Sequence, residues 1–169
     1  MGRKYETRFY EYRGFGIRNN FNPVHTIGRV DKVDFPELGL VNIEVKIDSG
    51  AYTSSIHCEK INAFYKEEEH FVKFTVYNEE NPIERVAKVF ASKQVKNSFG
   101  QIEYRYTIKT PVILFERSYL IELALTNRSS MKYPVLLGRK LLGQRFVIDV
   151  TRQNLSYKEK LKKQKLSSG

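Results

Sequence analysis

The residues with the clearest potential for chemistry stand together in one short segment, Asp48-Ser49-Gly50. The segment before it, LVNIEVKI, alternates apolar and polar residues and predicts a β-strand that ends at Asp48. A carboxylate in this position can activate water, because a nearby glycine lets backbone amides approach and hydrogen-bond it. The hydroxyl group of Ser49 can hold such a loop in place. A D-S-G triplet alone is more often a simple turn, so a second feature must decide between the two interpretations.

Other kinds of site find little support in the sequence. His25, His57 and His70 are scattered, and HExxH and paired-cysteine spacings are missing, so we expect no metal. If His57 and Cys58 lie on a strand, they point to opposite faces and cannot form a nucleophile–base pair. Phosphate-binding motifs are also missing, and we expect no cofactor. A Ser/His/Asp site near Asp48 stays open on spacing alone, although nothing resembles a nucleophile elbow.

A second feature downstream favours the catalytic interpretation of Asp48. The segment YPVLLGRKLL, residues 133–142, has an apolar pair before Gly138 and Arg139 and predicts a short helical turn. A D-[ST]-G segment followed much later by an apolar-apolar-Gly corner resembles the pepsin-like and retroviral aspartic proteases. The resemblance implies that the later strand, which ends at Leu137, packs beside the aspartate loop and that this corner supports the site.

The same resemblance suggests roles for other residues. The segment KQVKNSFGQIEY, residues 93–104, stands where these proteases have the flap that closes over the substrate. Phe99 and Gly100 in the flap, together with Ala51 and Thr53 beside the aspartate, would then contact the substrate. Thr53 would also buttress the loop together with the Ser49 hydroxyl.

A closer resemblance covers about residues 27–150. The segments IGRVDKVDFPELGL, VKIDSGAYTSSIH, KNSFGQIEYRYTIKT and LTNRSSMKYPVLLGRKLL together resemble the bacterial retropepsin-like family known as ATP-dependent zinc proteases. Its members are often associated with ATP-grasp enzymes that ligate glutamate to ribosomal protein. The resemblance therefore implies a peptide or protein substrate and a functional link to a glutamate ligase. The residues give no support to the zinc or the ATP of the family name.

One position departs from the retroviral pattern. Those enzymes carry an acid two residues after the glycine of the motif, where it pairs with the corner arginine. Here the position is Tyr52, so Arg139 needs another partner. Glu103, Asp149 and a backbone carbonyl are the candidates. The departure makes the viral dimer contacts and substrate subsites poor templates, but it leaves the fold unaffected.

The resemblance has a consequence for oligomeric state. Aspartic protease chemistry needs two carboxylates that share one proton across a water. This chain has one D-S-G segment, so a second Asp48 must come from a symmetric partner, which predicts a two-fold homodimer. The acids of VDKVDFPELG (Asp31, Asp34 and Glu37) are interpreted as surface turn residues. The alternative is a monomer that kept the fold and binds an extended peptide by strand addition, without turnover.

The elements that must position these residues are mostly strands. Short strands at close spacing predict an all-β fold, a closed retropepsin-like barrel with one short helix near its C-terminal end. In LVNIEVKI the period of two places Val41, Ile43, Val45 and Ile47 on one face. Residues 84–110 are predicted as two strands joined by a turn at residues 97–100. We divide the chain into an N-terminal arm (1–25), the protease domain (26–151) and a basic, partly helical tail (152–169).

The charge of the chain lies mainly at its two ends. The net charge is +10, with five bases and two acids before residue 25 and six bases and one acid after residue 151. Such ends act either as solvating tails or as attractors of an acidic substrate such as a glutamate-rich polypeptide. The near-neutral centre argues against a nucleic-acid-binding barrel. A single cysteine and the lack of any long apolar run predict a cytoplasmic protein that does not enter the membrane.

Overall fold

The computed structural model describes residues 25–96, 98–143 and 145–169. The predicted N-terminal arm lies outside the described residues apart from His25. Within these ranges no helix is long and apolar enough to cross a membrane. The elements are β1 (His25–Gly28), β2 (Val30–Phe35), a 3₁₀ turn (Pro36–Leu38), β3 (Leu40–Ile47), β4 (Ser54–His57), β5 (Glu59–Lys66), β6 (Glu69–Asn78), β7 (Asn81–Lys88), β8 (Ala91–Lys96), β9 (Ile102–Leu114), β10 (Arg117–Thr126), β11 (Val135–Leu137), α1 (Arg139–Leu142), β12 (Phe146–Asp149) and α2 (Leu155–Ser167).

Six strands close into a barrel, which confirms the predicted all-β fold class. Their order is β10-β4-β11-β3-β2-β9, and antiparallel pairing of β9 with β10 closes the ring. Strands β3 and β11 are parallel, with Ile47 opposite Leu137. Parallel neighbours require a crossover, so two segments far apart in sequence end at the same edge of the sheet. The short helix α1 begins directly after β11, at the place predicted for it.

Strand β3 carries the predicted alternation except at its start. Ile43, Val45 and Ile47 are buried, whereas Val41 is 53% exposed. The register between β2 and β3 shifts at this point, and Asn42 adopts a left-handed conformation with a φ of 55°. The backbone amide of Asn42 donates a hydrogen bond to Asp34 Oδ1 at 2.8 Å. The prediction for Val41 was therefore wrong, because a bulge reverses the side-chain direction before the regular part of the strand.

The segment predicted as two strands, residues 84–110, contains parts of three. The chain leaves β7 at Lys88 and enters β8 at Ala91, because the two strands belong to different sheets. Strand β7 is the edge of a separate three-stranded sheet with β5 and β6, while β8 extends the barrel sheet beside β9. Arg85 on β7 connects the separate sheet to the 3₁₀ turn between β2 and β3, since its Nε donates to the carbonyl of Leu38 at 3.1 Å. Strand β8 pairs with the first half of β9 to form a hairpin, and the flap role expected for this segment stays a prediction.

Two carboxylates of β2 bind helix α2. Asp31 is only 1% exposed and accepts the backbone amides of Ser156 and Tyr157 at 2.9 and 3.0 Å. Asp34 forms an ion pair with Lys160 at 2.6 Å. The interpretation of Asp31 and Asp34 as surface turn residues was wrong, because both lie on β2 and bind the C-terminal segment. The alternation of β2 places Asp31 on the same face as the buried Val33 and Phe35, but an acid is not expected on a buried face, so the sequence did not indicate its burial.

Candidate functional site

Asp48 lies where β3 ends beside β11. Its backbone N–H donates to the carbonyl of Leu137 at 2.9 Å, which extends the parallel ladder by one residue. The amide of Gly50 donates to Asp48 Oδ1 at 3.0 Å. A Cβ added to Gly50 would stand 3.2 Å from that same oxygen, so a larger residue would crowd the carboxylate. The loop thus holds the half-buried carboxylate of Asp48 through one hydrogen bond from a backbone amide to Oδ1.

Gly138 brings the end of β11 into close contact with the loop that follows Asp48. A Cβ on Gly138 would come within 2.9 Å of three backbone atoms of residues 51–53. The Gly138 amide donates to the buried Ser54 Oγ at 3.0 Å, and the next amide, of Arg139, donates to the carbonyl of Ala51 at 2.8 Å. The φ of Gly138 is −96°, which any residue adopts, so the glycine is required for the close approach. Sequence reasoning missed the role of Ser54.

Arg139 finds its partner in the aspartate loop itself. Its Nη1 donates to the carbonyl of Ser49 at 2.9 Å, which is the backbone alternative among the partners considered. The guanidinium also lies over the ring of Tyr52, with Cζ 5.9 Å from the centroid. Lys140 lies at the same distance from that ring. An aromatic face therefore meets the corner cations where retroviral enzymes have an acid, and the loop is held by a cation–π contact and a hydrogen bond.

A cleft of about 410 Å³ opens beside Asp48. Among the predicted site residues, Asp48, Gly50, Ala51 and Thr53 line this cleft. The supporting residues Leu137, Gly138 and Arg139 lie behind the loop, as the contacts above describe. The cleft is thus built from the aspartate loop on one side and from the strands of the barrel and the projecting hairpin on the other.

Three cationic side chains line the same cleft, and sequence reasoning missed all of them. Lys93 on β8 and Arg105 on β9 stand opposite each other in the hairpin, and Arg128 comes from the loop after β10. Among the described residues that line the cleft, Asp48 is the only acid. The period-two pattern of β9 was a usable signal, because it places Arg105 and Thr107 on the face opposite the buried Ile108. Three cations in one cleft favour an anionic ligand.

The predicted flap residues Phe99 and Gly100 are not among the residues that line the cleft. Phe99 is 90% exposed at the turn of the β8–β9 hairpin, and Gly100 beside it has a φ of 79°. Neither residue is among those that line the cleft, whereas Lys93 at the base of the hairpin is. The lining of the cleft thus includes a residue near the base of the hairpin and not the two residues at its tip.

The described residues offer few other reactive groups. Within residues 25–96, 98–143 and 145–169, no three His, Cys, Asp or Glu side chains lie close enough to hold a metal ion. Cys58 is fully buried, and this burial raises the pKa of its thiol to about 12. A thiol with such a pKa stays protonated at neutral pH and is a poor nucleophile. Asp48 is therefore the candidate reactive group of this cleft.

The sequence is similar to part of several larger proteins. It is 39% identical over 127 residues to a "Probable alpha-L-glutamate ligase" of Desulfotalea psychrophila, and 38% identical to proteins of the same name from Parasynechococcus marenigrum and Shewanella halifaxensis. Each match covers 73% of this chain but only 27–28% of the relative. The chain thus spans about a quarter of the length of these curated relatives.

The fold is shared with a solved structure, and a family model covers most of the chain. A crystal structure of a protein of unknown function from Legionella pneumophila superposes with a TM-score of 0.64 at 22% identity, over 78% of this chain and 98% of that one. A family model described as retropepsin-like aspartic endopeptidase RimB matches residues 26–159. The match begins at β1 and includes the Asp48 loop, the Gly138 corner and the first residues of α2. The chain therefore belongs to the RimB-like family of retropepsin-like aspartic endopeptidases.

Proposed function

We propose that this chain is an aspartic-type endopeptidase in which Asp48 activates the water that attacks a peptide bond. The observation that carries the proposal is the position of Asp48 in a family member with this barrel. Its loop is fixed by Leu137 and Gly50, and the carboxylate lines a cleft of about 410 Å³. A carboxylate held in this way is suited to take a proton from water without reorganising during the reaction.

The mechanism requires a second carboxylate, which we propose comes from a symmetric copy of the chain. With one proton shared between two Asp48 side chains, one carboxylate accepts a proton from the water while the other donates one to the carbonyl oxygen. The tetrahedral intermediate then breaks down as a proton moves to the leaving amine. A two-fold axis near Asp48 would supply this pair, because it places the same residue on both sides.

For the substrate we propose an acidic polypeptide, such as a glutamate-rich chain. The three cations Lys93, Arg105 and Arg128 in the cleft support this choice, because each can bind a carboxylate of such a chain. The net charge of +10 would speed encounter by long-range attraction. The relatives named glutamate ligases also favour a functional link between this chain and an ATP-grasp ligase that makes glutamate-rich products.

The test compares wild type with Asp48→Asn on an oligoglutamate peptide and on a neutral peptide of equal length. We expect Asp48→Asn to lower kcat by at least about 100-fold on both, in keeping with the loss of a general acid–base group. Cleavage of the acidic peptide should weaken with added salt, while cleavage of the neutral peptide should change little.

Glu44→Gln is the matched control, since it removes one exposed carboxylate from the same strand without touching the cleft. Its kcat should stay close to that of wild type. Unchanged kcat in Asp48→Asn would contradict the proposed peptidase. Equal cleavage of both peptides at every salt concentration would contradict the acidic substrate alone.

A second candidate function is a peptide-binding module without turnover. It is favoured by the single carboxylate among the described residues that line the cleft. A monomer with one Asp48 would lack the acid–base pair and could bind an extended peptide only by contacts and strand addition. Light scattering on the full chain separates the two candidates, because a strict monomer that binds oligoglutamate and does not cleave it fits only the binding module.

A further inference from the structure

The cation Arg128 reaches the cleft from the loop between β10 and β11, residues 127–134, which is exposed over its first four positions. This loop is held at both ends by one residue, His57 at the end of β4. The amide of Arg128 donates to His57 Nδ1 at 3.0 Å. The amide of His57 donates to the carbonyl of Pro134 at 2.7 Å. One side chain and one backbone group of His57 therefore define where the loop leaves and rejoins the barrel.

The other side of the His57 ring faces a different environment. Its Nε2 lies 3.9 Å from Glu59 Oε1, and the second oxygen of Glu59 accepts the hydroxyl of Tyr77 at 2.7 Å. This side of the ring lines a groove of about 1120 Å³. The further charged and titratable residues of the groove are Lys32, Glu44, Glu79, Glu80 and Tyr157. The imidazole thus stands between an acidic groove and the cationic cleft.

We propose that His57 is a positioning residue that holds Arg128 for recognition of an anionic substrate, and that it does so only when its Nδ1 is unprotonated. An imidazole nitrogen can accept the Arg128 amide only through its free lone pair. When both nitrogens carry protons, Nδ1 and the Arg128 amide are two donors facing each other, and the hydrogen bond is lost. The residue deepens the proposed function, because its role in recognition rests on an acidic substrate in this cleft.

The charged groups near the ring are Glu59 beside Nε2 and, in the groove, Lys32, Glu44, Glu79 and Glu80. A proton on Nδ1 would remove the acceptor of the Arg128 amide and free this end of the loop, while the backbone hydrogen bond between His57 and Pro134 would remain. Recognition of an acidic peptide should therefore weaken when both ring nitrogens carry protons.

The experiment measures binding of a fluorescent oligoglutamate peptide to the full chain carrying Asp48→Asn, so that turnover does not interfere. In this background His57→Leu should weaken binding about 5-fold at pH 7.5, the effect of losing one hydrogen bond. His57→Asn keeps an acceptor near the place of Nδ1 and cannot titrate. It should bind within about 2-fold of the parent and lose the pH dependence between pH 5.5 and 7.5. Lys132→Ala is the control, since it removes one exposed cation from the same loop outside the cleft.

A double-mutant cycle and one spectroscopic readout complete the test. Arg128→Ala should weaken binding, and adding His57→Leu to it should cause little further loss, because His57 acts on the peptide only by placing the Arg128 side chain. The Arg128 amide resonance in the NMR spectrum should shift with pH in the parent protein and stay constant in His57→Asn. A resonance that ignores both pH and His57→Leu would overturn the inference. So would binding by His57→Leu equal to that of the parent.

The two levels of the proposal fail in different ways. A titrating Arg128 amide combined with no measurable binding of the peptide would contradict the acidic substrate, and the role in recognition would fall with it. Peptide binding that is intact in all His57 variants would contradict only the positioning role and leave the proposed substrate in place.

Discussion

The corner around Asp48 and the β8–β9 hairpin, which contributes Lys93 and Arg105 to the cleft, differ in packing and in exposure. At the corner, Gly138 leaves less than 3 Å between a potential Cβ and the opposing backbone, and successive amides are all bound. In the hairpin, Phe99 is 90% exposed, Ile102 61% and Tyr104 56%. The added Cβ of Gly100 would meet nothing within 4 Å. The corner thus has no room for an added side-chain atom, whereas the tip of the hairpin is open to solvent.

We expect the two regions to serve different parts of the proposed function. A catalytic carboxylate must be held within a few tenths of an ångström, and a corner made from two strands of the barrel would provide this. Substrate contacts tolerate more movement, and Lys93 and Arg105 at the base of the hairpin can supply them. Changes at the corner should therefore abolish activity, while changes in the hairpin should adjust affinity.

The largest effect is expected from a methyl group at the corner. Gly138→Ala should lower the free energy of unfolding by about 2–4 kcal/mol, since its Cβ meets three backbone atoms and the loop of Asp48 must shift. Activity should fall below detection. Gly100→Ala is the control in the hairpin and should lower the free energy of unfolding by about 1–2 kcal/mol, because only the left-handed φ of 79° is unfavourable for alanine. Urea denaturation measures both, and a larger loss in Gly100→Ala would reverse the comparison.

A smaller effect is expected at the base of the hairpin. Lys93→Ala and Arg105→Ala should each raise KM for an oligoglutamate peptide about 2–5-fold, with kcat unchanged, as expected for partly exposed ion pairs. Cleavage of a neutral peptide should not change. Lys96→Ala, on the same strand but outside the cleft, serves as the matched control. If KM for the oligoglutamate peptide rises by the same factor in all three variants, the effect comes from net charge and the cleft cations have no specific role.

The smallest effect concerns a region outside both the corner and the hairpin. Burial raises the pKa of Asp31 against the backbone hydrogen bonds that lower it. A raised pKa in the folded state means that the contribution to stability is complete below the ordinary value of 3.8 and is lost as the pH rises through the folded value. The stability of wild type relative to Asp31→Asn should thus decrease as the pH is raised from about 3 to 7.

Asp149 should behave in the opposite way. Hydrogen bonds from Thr151 lower the pKa of the Asp149 carboxyl. Its contribution to stability should be present above 3.8 and be lost as the pH falls through the folded value. Urea denaturation of Asp31→Asn and Asp149→Asn over the same pH series measures both slopes. Slopes of the same sign in the two variants would contradict the assignment of burial as the dominant cause at Asp31.

The fold and the corner were predictable because their signals are local and specific. A strand that runs into D-S-G and an apolar pair before Gly138 both depend on backbone geometry that few residues allow. These signals led to the barrel class and to the short helix α1. The family match over residues 26–159 agrees with them.

Other features could not be read from the sequence, because they depend on contacts between distant segments. Asp31 looked like a turn acid, and only the docking of α2 explains an acid on the buried face of β2. Nothing in the sequence distinguished Arg128 from the other basic residues, because only the folded path of its loop brings it to the cleft. The break between β7 and β8 occurs because the two strands belong to different sheets. The sequence of one strand does not indicate which strand it pairs with. The bulge at Asn42 likewise needs its partner Asp34 in place.

The central claim is that two Asp48 side chains act together, and subunit mixing tests it most directly. Wild-type chain is incubated with an equal amount of Asp48→Asn, and peptide cleavage is followed together with molecular mass by light scattering. The account predicts a dimer and, with random exchange, a fall to about half of the activity that the same wild-type chain has alone, because mixed dimers lack the pair. Dilution should lower specific activity in parallel with the dimer fraction. Full activity of a monomer, or wild-type activity unchanged by mixing, would contradict the account.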